Sequence, residues 1–469
     1  MDNESTLEAN ALPPWLAEPY DLCKLCVPGD LPSEHVSIED ALSRVAAAEV
    51  EAKHKAPQIA YSQCRGFAIR STDTLGASPA QPTVLAVRSA LRLPRVGIAG
   101  LPRLGSGAAE AILLPAGVPM PEGADAISPA PPQYIDDIEA PGDGWSLSLT
   151  APIRAGNCVL PAGADCMEGD VLLAPGDRID AAGQALCTAA GVSRLLVKRR
   201  PRIGVVVTSH DIVAPGSAAS EIWQRPDSMG IYIRSLVRQW GYDVAPVVYV
   251  PPIGAKAASS STPFSREAHV ANVRELISRF DLIIACGMPA DPLSSGEGCG
   301  DPIGFPFSRT RIDIRQTPAS RLNFARSEDR SPPVVWQRTV MRPGALLPST
   351  IRMESRDQAV LVNFPGDTST IGILMHCIVR RIIELLEDAI DPRPHWEWAA
   401  LEGVIAHDPN VNRMLWGVAT SNHVSPARVR VVQQERDHIG SMRGSNVIVA
   451  LAAYDRDLRA GEPVRILRL

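Results

Sequence analysis

The sequence predicts an α/β fold built on a doubly wound parallel sheet, with smaller β modules on either side of it. Three observations carry this expectation. The apolar run from Arg202 to Val207 ends in polar Thr208, Ser209, His210 and Asp211 and stops at Pro215-Gly216, the pattern of a buried parallel strand that delivers side chains to a sheet's carboxyl edge. From there to residue 392, apolar strands alternate with helical patterns. In 70–150 and 395–469, short apolar runs are separated by Gly and Pro.

Composition sets the outer limits. A chain of 469 residues exceeds one ordinary core. Its 42 prolines exceed an average usage of roughly 5% and imply many loops and sharp joints. No run reaches the roughly 20 apolar residues of a membrane span, and the start, Met1-Asp2-Asn3-Glu4, has no signal-peptide character. A cytoplasmic protein is expected. The net charge of −6 argues against general nucleic-acid or anionic-membrane partners, while leaving room for a local basic pocket. The nine cysteines lack secreted-scaffold spacing and are read as reduced thiols. Cys23-Lys24-Leu25-Cys26 has no second pair or His partner nearby, so a flexible tail is preferred there over a zinc or redox site.

Taken in order, residues 1–30 are polar and Pro-punctuated, with Trp15 and Tyr20 as docking anchors for a tail. A helix is expected from Ser37, where Ser37 and Asp40 resemble an N-cap box and Ile38, Ala41, Leu42 and Val45 follow at helical spacing, ending before Pro57. Tyr61 to Arg70 reads as a turn opening into a strand. The 70–150 region reads as a small barrel or sandwich inserted between neighbouring elements. Its acid-bearing turn from Pro119 to Ile127 is either a plain loop or a functional one. A glycine-punctuated turn series at 155–170 precedes a helix at about 181–191 and a strand at Leu195-Leu196-Val197. Lys198-Arg199-Arg200-Pro201 is taken as a hinge.

Beyond the hinge the alternation continues: a helix at about 229–239, a strand at 244–250, a helix at about 267–279 and a strand at 282–285. The irregular stretch 288–333 interrupts it, as a functional or a disordered loop. Strands at 334–340 and 359–364 follow. In the last helix Ile371, Leu374, Met375, Ile378, Ile382 and Leu385 share one face, with Asp391-Pro392 as the stop. His376 and Cys377 within it are read as core or flank residues. Strands at 428–432, 446–451 and 463–467 belong to the last module.

Three turns therefore fall at carboxyl ends of strands: 208–211, 286–291 and 364–369. The third, Phe364-Pro365-Gly366-Asp367-Thr368-Ser369, opens a helix, so backbone N–H groups after Gly366 can hold an anion. Asp367 or Thr368 can equally be a plain N-cap. Arg342-Pro343-Gly344, after another strand, adds a permanent cation.

In order and over nearly all of 35–469, these segments resemble the molybdopterin molybdenumtransferases, or molybdenum insertases, a family that includes the C-terminal region of gephyrin. The motifs that carry the resemblance are Pro119-x-Pro121-Glu122-Gly123-Ala124-Asp125-Ala126, the strand Arg202 to Thr208 with Pro215-Gly216, Arg342-Pro343-Gly344, Phe364-Pro365-Gly366 and Ala460-Gly461-Glu462-x-Val464. The resemblance implies a multidomain α/β and β protein. Its parts are an N-terminal tail (1–30), an elongated linker domain (31–69 and 151–198), an inserted small β domain (70–150), a doubly wound parallel α/β domain (199–392) and a C-terminal β barrel (393–469). It also implies a homodimer with the site between subunits. The implied reaction takes adenylylated molybdopterin and molybdate, releases AMP with Mg²⁺ and places molybdenum on the dithiolene. On the matching positions it assigns catalytic roles to Asp211 and Asp165 and Mg²⁺ ligation to Asp211 and Asp291. Substrate contacts fall to Thr208, Ser209, His210, Gly287, Asp291, Arg342, Pro343, Pro365, Gly366, Asp367, Ser369 and Arg65.

The chain departs from the family pattern at these places. Thr208-Ser209-His210-Asp211-Ile212 stands for Thr-Gly-Asp-Glu-Leu. Arg65 takes an acid's place in Tyr61 to Phe67. The turn Pro115 to Pro119 lacks the usual hydroxyl, and Gly163-Ala164-Asp165 keeps one acid of Gly-Glu-Asp. Pro251-Pro252 replaces a paired Asp, Cys286 to Asp291 replaces Gly-Gly-Val-Ser-Val-Gly, and Asp367 follows Pro365-Gly366 in place of Asn. A carboxylate beside an oxyanion repels it by about 4 kcal/mol for unit charges roughly 4 Å apart at an effective dielectric of about 20. Three readings follow: an insertase with a rebuilt pocket, a divergent paralogue acting on another phosphorylated or adenylylated substrate, and a non-catalytic dimeric scaffold.

Overall fold

A computed structural model describes residues 12–27, 31–89, 103–105, 109–130, 145–207, 212–217, 222, 224–249, 275–276, 278–288, 335–341, 348–356, 359–365, 368–406, 413–420, 427–432, 439–452 and 456–469. The chain divides into two compact units, one comprising 35–197 and the other 1–34 with 198–469. Among the described residues no helix is long and apolar enough to cross a membrane.

The first unit holds short ladders and one sheet. Val50–Glu51 pairs with Val171–Leu173, and Tyr61–Ser62 with Val159–Leu160. The sheet has five strands in the order Ala126–Pro129, Gly66–Ile69, Glu110–Leu114, Thr83–Ser89, Ser146–Leu149. Its core is Phe67, Ile69, Leu85, Val87, Ala111 and Leu149. The expected helix at 181–191 is present as Ala181–Ala189, where Asp180 Oδ1 accepts from the Gly183 N–H at 2.7 Å.

The helix expected from Ser37 is absent. The capping pair forms, with Ser37 Oγ donating to Asp40 Oδ2 at 2.7 Å and accepting from the Asp40 N–H at 3.3 Å, yet it caps a single 3₁₀ turn, Glu39–Ala41. Ser43 then takes a φ of 61°, and the N–H groups of Ser43, Ala46 and Ala47 donate to the carbonyls of Ile179, Asp177 and Leu196. Pairing with a distant segment satisfies backbone groups that a helix would have satisfied locally, so tertiary contacts override a weak helical propensity.

In the second unit a six-stranded sheet runs in the order Val248–Tyr249, Ile203–Val207, Leu282–Met288, Ala359–Pro365, Pro348–Arg356, Val335–Met341. The first four strands are mutually parallel. Pro348–Arg356 and Val335–Met341 are antiparallel additions at one edge of the expected doubly wound parallel sheet. Both faces of the parallel part are buried. Ile203, Val205, Val207, Leu282, Ile284, Val360, Val362 and Phe364 face one core. Val206, Ile283, Ala285 and Leu361 face another with Leu276 and Phe280. Alternation along each strand places successive side chains on opposite faces, as doubly wound packing requires. Of the helix expected at 267–279, residues 275–276 and 278–279 are helical and the rest fall outside the described residues, as do 289–334.

Residues Pro14–Cys26 form a helix rather than a tail. Leu16, Tyr20 and Cys23 enter the main core. Tyr20 accepts a 3.0 Å bond from the Trp396 indole N–H, and Arg381 lies 4.4 Å over its ring. Leu16, Tyr20 and Cys23 follow a three-to-four spacing that the surrounding prolines obscure. The Trp15 side chain is outside the description.

The final helix consists of Thr368–Leu374, a π turn at Met375–Val379 and Arg380–Leu386. Against it sits a closed five-stranded barrel in the order Trp396–Leu401, Arg428–Val431, Arg413–Thr420, Val447–Leu451, Pro463–Arg468. Gly372 permits that contact, since a Cβ there would lie 2.9 Å from both Met442 Cε and Trp416 Cζ2.

Candidate functional site

The strand order locates the candidate site. Chain leaving Val207 passes to the neighbour on one side, Val248–Tyr249, and then to the neighbour on the other, Leu282–Met288. Connections that diverge in this way leave a crevice outside the carboxyl ends of the strands, where ligands of open α/β sheets bind. Register aligns those ends: Val207 sits opposite Cys286 and Tyr249, and Cys286 opposite Phe364. The strand ends at Val207, Met288 and Pro365 therefore lie along one edge.

Thr208, Ser209, His210, Asp211, Asp291, Arg342, Pro343, Gly366 and Asp367 lie outside the described residues. Their attachment points are described. The chain returns after Asp211 as Ile212–Val213, paired in parallel with Arg225–Pro226. Gly287 lies where the register between Cys286 and Met288 shifts against the strand ending at Pro365. Irregular pairing at a glycine bends a strand end, a common device beside binding sites. Ser369 is buried, and its Oγ accepts from the Trp416 indole N–H at 2.9 Å. Thr368 Oγ1 lies 2.8 Å from Ser228 Oγ.

Sequence reasoning missed Asp227. This buried carboxylate stands just before the helix Met229–Gln239, with Oδ1 accepting from the Gly230 N–H at 2.8 Å and Oδ2 from the Tyr249 hydroxyl at 2.9 Å. It thus ties the start of that helix to the carboxyl end of the edge strand. Burial and then the hydrogen bond to Asp227 push the Tyr249 phenol up to about 12, so Tyr249 is a neutral donor at ordinary pH. Burial, with the nearby charge of Asp227, also pushes the Cys286 thiol up; it is a core thiol and not a nucleophile. An acid followed by Ser just before an amphipathic run was the available signal for Asp227.

Arg65 and Asp165 belong to the first unit. Arg65 is partly buried and its carbonyl accepts from the Ala130 N–H at 3.1 Å, while Asp165 is exposed and its N–H donates to the Ala56 carbonyl at 2.9 Å. The Pro119 to Ile127 turn has a structural role here: Asp125 accepts from the Ser71 N–H and hydroxyl, each at 2.6 Å, and Gly123 takes a φ of 85°. In the turn that lacks its hydroxyl, Ser62 substitutes from across the chain, donating to the Pro115 carbonyl at 2.8 Å and accepting from the Val118 N–H at 3.1 Å.

Among the described residues no group of three or more His, Cys, Asp or Glu could hold a metal ion. Both acids assigned to Mg²⁺, Asp211 and Asp291, fall outside them.

Residues 9–191 match the family model for the MoeA N-terminal region (domain I and II). A molybdopterin molybdenumtransferase of Bacillus subtilis (strain 168) is 29% identical over 181 residues, 39% of this chain and 40% of that protein. One of Synechococcus elongatus is 28% identical over 222 residues, 46% of this chain and 51% of that protein, so the chain spans about half or less of the length of these two relatives. One of Staphylococcus aureus (strain Mu50) is 23% identical over 437 residues, 93% of this chain and 91% of that protein. Among solved structures, the molybdopterin biosynthesis moeA protein of Pyrococcus horikoshii OT3 superposes with a TM-score of 0.67 at 16% identity, covering 96% of this chain and 98% of that one. At that identity the likeness concerns the fold.

Proposed function

We propose that the chain, which is similar to MoeA proteins, works in molybdenum cofactor biosynthesis, binding adenylylated molybdopterin and molybdate at the carboxyl edge of the doubly wound sheet and releasing AMP. The observation that carries the reading is the register that brings the ends of Ile203–Val207, Leu282–Met288 and Ala359–Pro365 to one edge. The segments that follow in sequence carry Thr208 and Ser209 as hydroxyl donors, His210 and Asp211 as titratable groups, and Gly366 as an N–H source for an oxyanion. Arg342, always protonated, supplies positive charge for phosphates. Asp211 carries the acid that AMP release requires, with Asp165 assisting from the first unit's segment. The proposed assembly is a homodimer with the site between subunits. Mg²⁺ would be held by Asp211 and Asp291 and would supply positive charge for the phosphates.

Two substitutions favour a second reading, a paralogue acting on another phosphorylated or adenylylated compound or serving as a scaffold. Against the family pattern, Arg65 stands in place of an acid and Asp367 in place of Asn after Pro365-Gly366, adding a negative charge to an oxyanion-binding motif. Calorimetry of the purified chain against adenylylated molybdopterin and molybdate, together with rescue of a cell lacking its insertase, separates the readings. Binding and rescue are expected; failure of both overturns the first reading.

A further inference from the structure

Away from the sheet edge, two thiols meet in the first unit. Tyr61 pairs antiparallel with Leu160 and Ser62 with Val159. The next rung is a 2.9 Å bond from the Gln63 N–H to the Cys158 carbonyl, which brings the following residue, Cys64, beside Cys158. Both side chains are half-buried. They pack on one small apolar cluster of Ala68, Leu114, Met120 and Ile127, close enough to influence one another electrostatically. Cys158 is held at a φ of 53°, a left-handed conformation rare for a residue other than Gly, Asn or Asp. Its turn is braced by Asn157, whose side-chain amide donates to the Ile127 carbonyl at 2.7 Å, and by the Gly156 N–H, which donates to the Asp125 carbonyl at 2.7 Å.

We propose that Cys64 and Cys158 form a dithiol site that closes to an intrachain disulfide on reaction with low-molecular-weight disulfides. One protein thiolate attacks a sulfur of the external disulfide, giving a mixed disulfide and one free small thiol. The second protein thiol, losing its proton, displaces the remaining small thiol. The two protein S–H bonds become one S–S bond, and the external disulfide is reduced to two thiols, so electrons and protons balance. The small-thiol half is displaced within the protein because the second thiol packs on the same cluster. Burial and then the neighbouring Cys158 push the Cys64 thiol up to about 11, so attack by Cys64 quickens as pH rises, the thiolate being the nucleophile. Closure would fasten the Tyr61 to Gly66 segment to the turn before Val159. That the segment carries Arg65 toward substrate rests on the MoeA-type reading; the cross-link itself does not.

The test uses the full chain with excess glutathione disulfide at a pH of about 8.5, the ordinary thiol range, followed by alkylation and non-reducing peptide mapping. The expected result is one peptide pair joining Cys64 to Cys158, an intact mass lower by two hydrogen atoms, and reversal by dithiothreitol. Neither Cys64→Ser nor Cys158→Ser should give the pair. A glutathione adduct retained on either residue without the cross-link overturns the proposal, as does a different disulfide in preference or both thiols remaining alkylatable. The mapping of the unsubstituted chain decides the matter even if a variant folds poorly. Calorimetry with adenylylated molybdopterin before and after oxidation separately reads the consequence for Arg65.

Discussion

The indole N–H of Trp416, in the barrel, donates to the hydroxyl of Ser369, in the first turn of the last helix of the doubly wound domain, at 2.9 Å and with both residues buried. Ser369 is a residue assigned to substrate by resemblance, so the bond joins barrel docking to the candidate site's edge. Ser369→Ala strands a buried donor, at about 1–3 kcal/mol. Urea unfolding of the variant should show that loss, and an unchanged midpoint would mean water replaces the hydroxyl.

Gly372, one turn on, faces the same indole. Ala would gain roughly 1 kcal/mol of helix propensity, yet its Cβ would lie 2.9 Å from Trp416 Cζ2 and from Met442 Cε. The methionine tip can move; the buried indole cannot. Overpacking of about 1–3 kcal/mol therefore outweighs propensity, and Gly372→Ala should lower the melting temperature.

His376 lies in the π turn with its ring edge-on to Trp240 at 5.4 Å and Trp416 at 6.4 Å. Burial, then the charge of Arg380, lowers its pKa to about 4. The unfolded chain takes up this proton near pH 6.5 and the folded chain only near pH 4. Its contribution is therefore complete above about pH 6.5 and is lost as pH falls through that interval, up to roughly 3 kcal/mol. Denaturant midpoints across the interval should fall, and should fall less in His376→Phe.

Asp281 is buried at the amino end of its strand. It accepts from Arg199 at 3.0 and 3.1 Å and from Arg202 through the backbone N–H at 2.6 Å and the guanidinium at 3.0 and 3.2 Å. Burial alone would raise its pKa, but the bonds from Arg202 and Arg199 outweigh it and the value is lowered. The stabilisation is present above the ordinary Asp range and is lost as pH falls through the folded value. Asp281→Asn should cost about 3 kcal/mol and flatten the acid limb of the stability profile.

For function, Asp211→Ala should abolish AMP release from adenylylated molybdopterin while leaving the melting temperature close to that of the parent chain. Unchanged release would remove Asp211 from the reaction.

Legibility in the sequence followed the locality of the signal. The strands at 203–207 and 282–288 and the face of the last helix were visible because burial on both faces, or on one stripe, is written as Val, Ile and Leu at fixed steps. The strand Pro348–Arg356 escaped because Arg352, Glu354 and Arg356 dilute its apolar positions. The acids Asp125, Asp227 and Asp281 could be seen as acids, but their tasks could not, since each takes a donor remote in sequence: Ser71, Tyr249 and Arg199.

The sequence by itself determined the family resemblance, the doubly wound strands and the edge at which they end, because apolar periodicity and motif order are properties of contiguous residues. Only the tertiary structure decided that the segment after Ser37 pairs with 177–196 instead of coiling, that residues 14–26 dock as a helix, that two antiparallel strands extend the sheet, and that Cys64 meets Cys158. Those outcomes depend on which distant group satisfies a backbone or side-chain partner, and that choice is made by the packed chain as a whole.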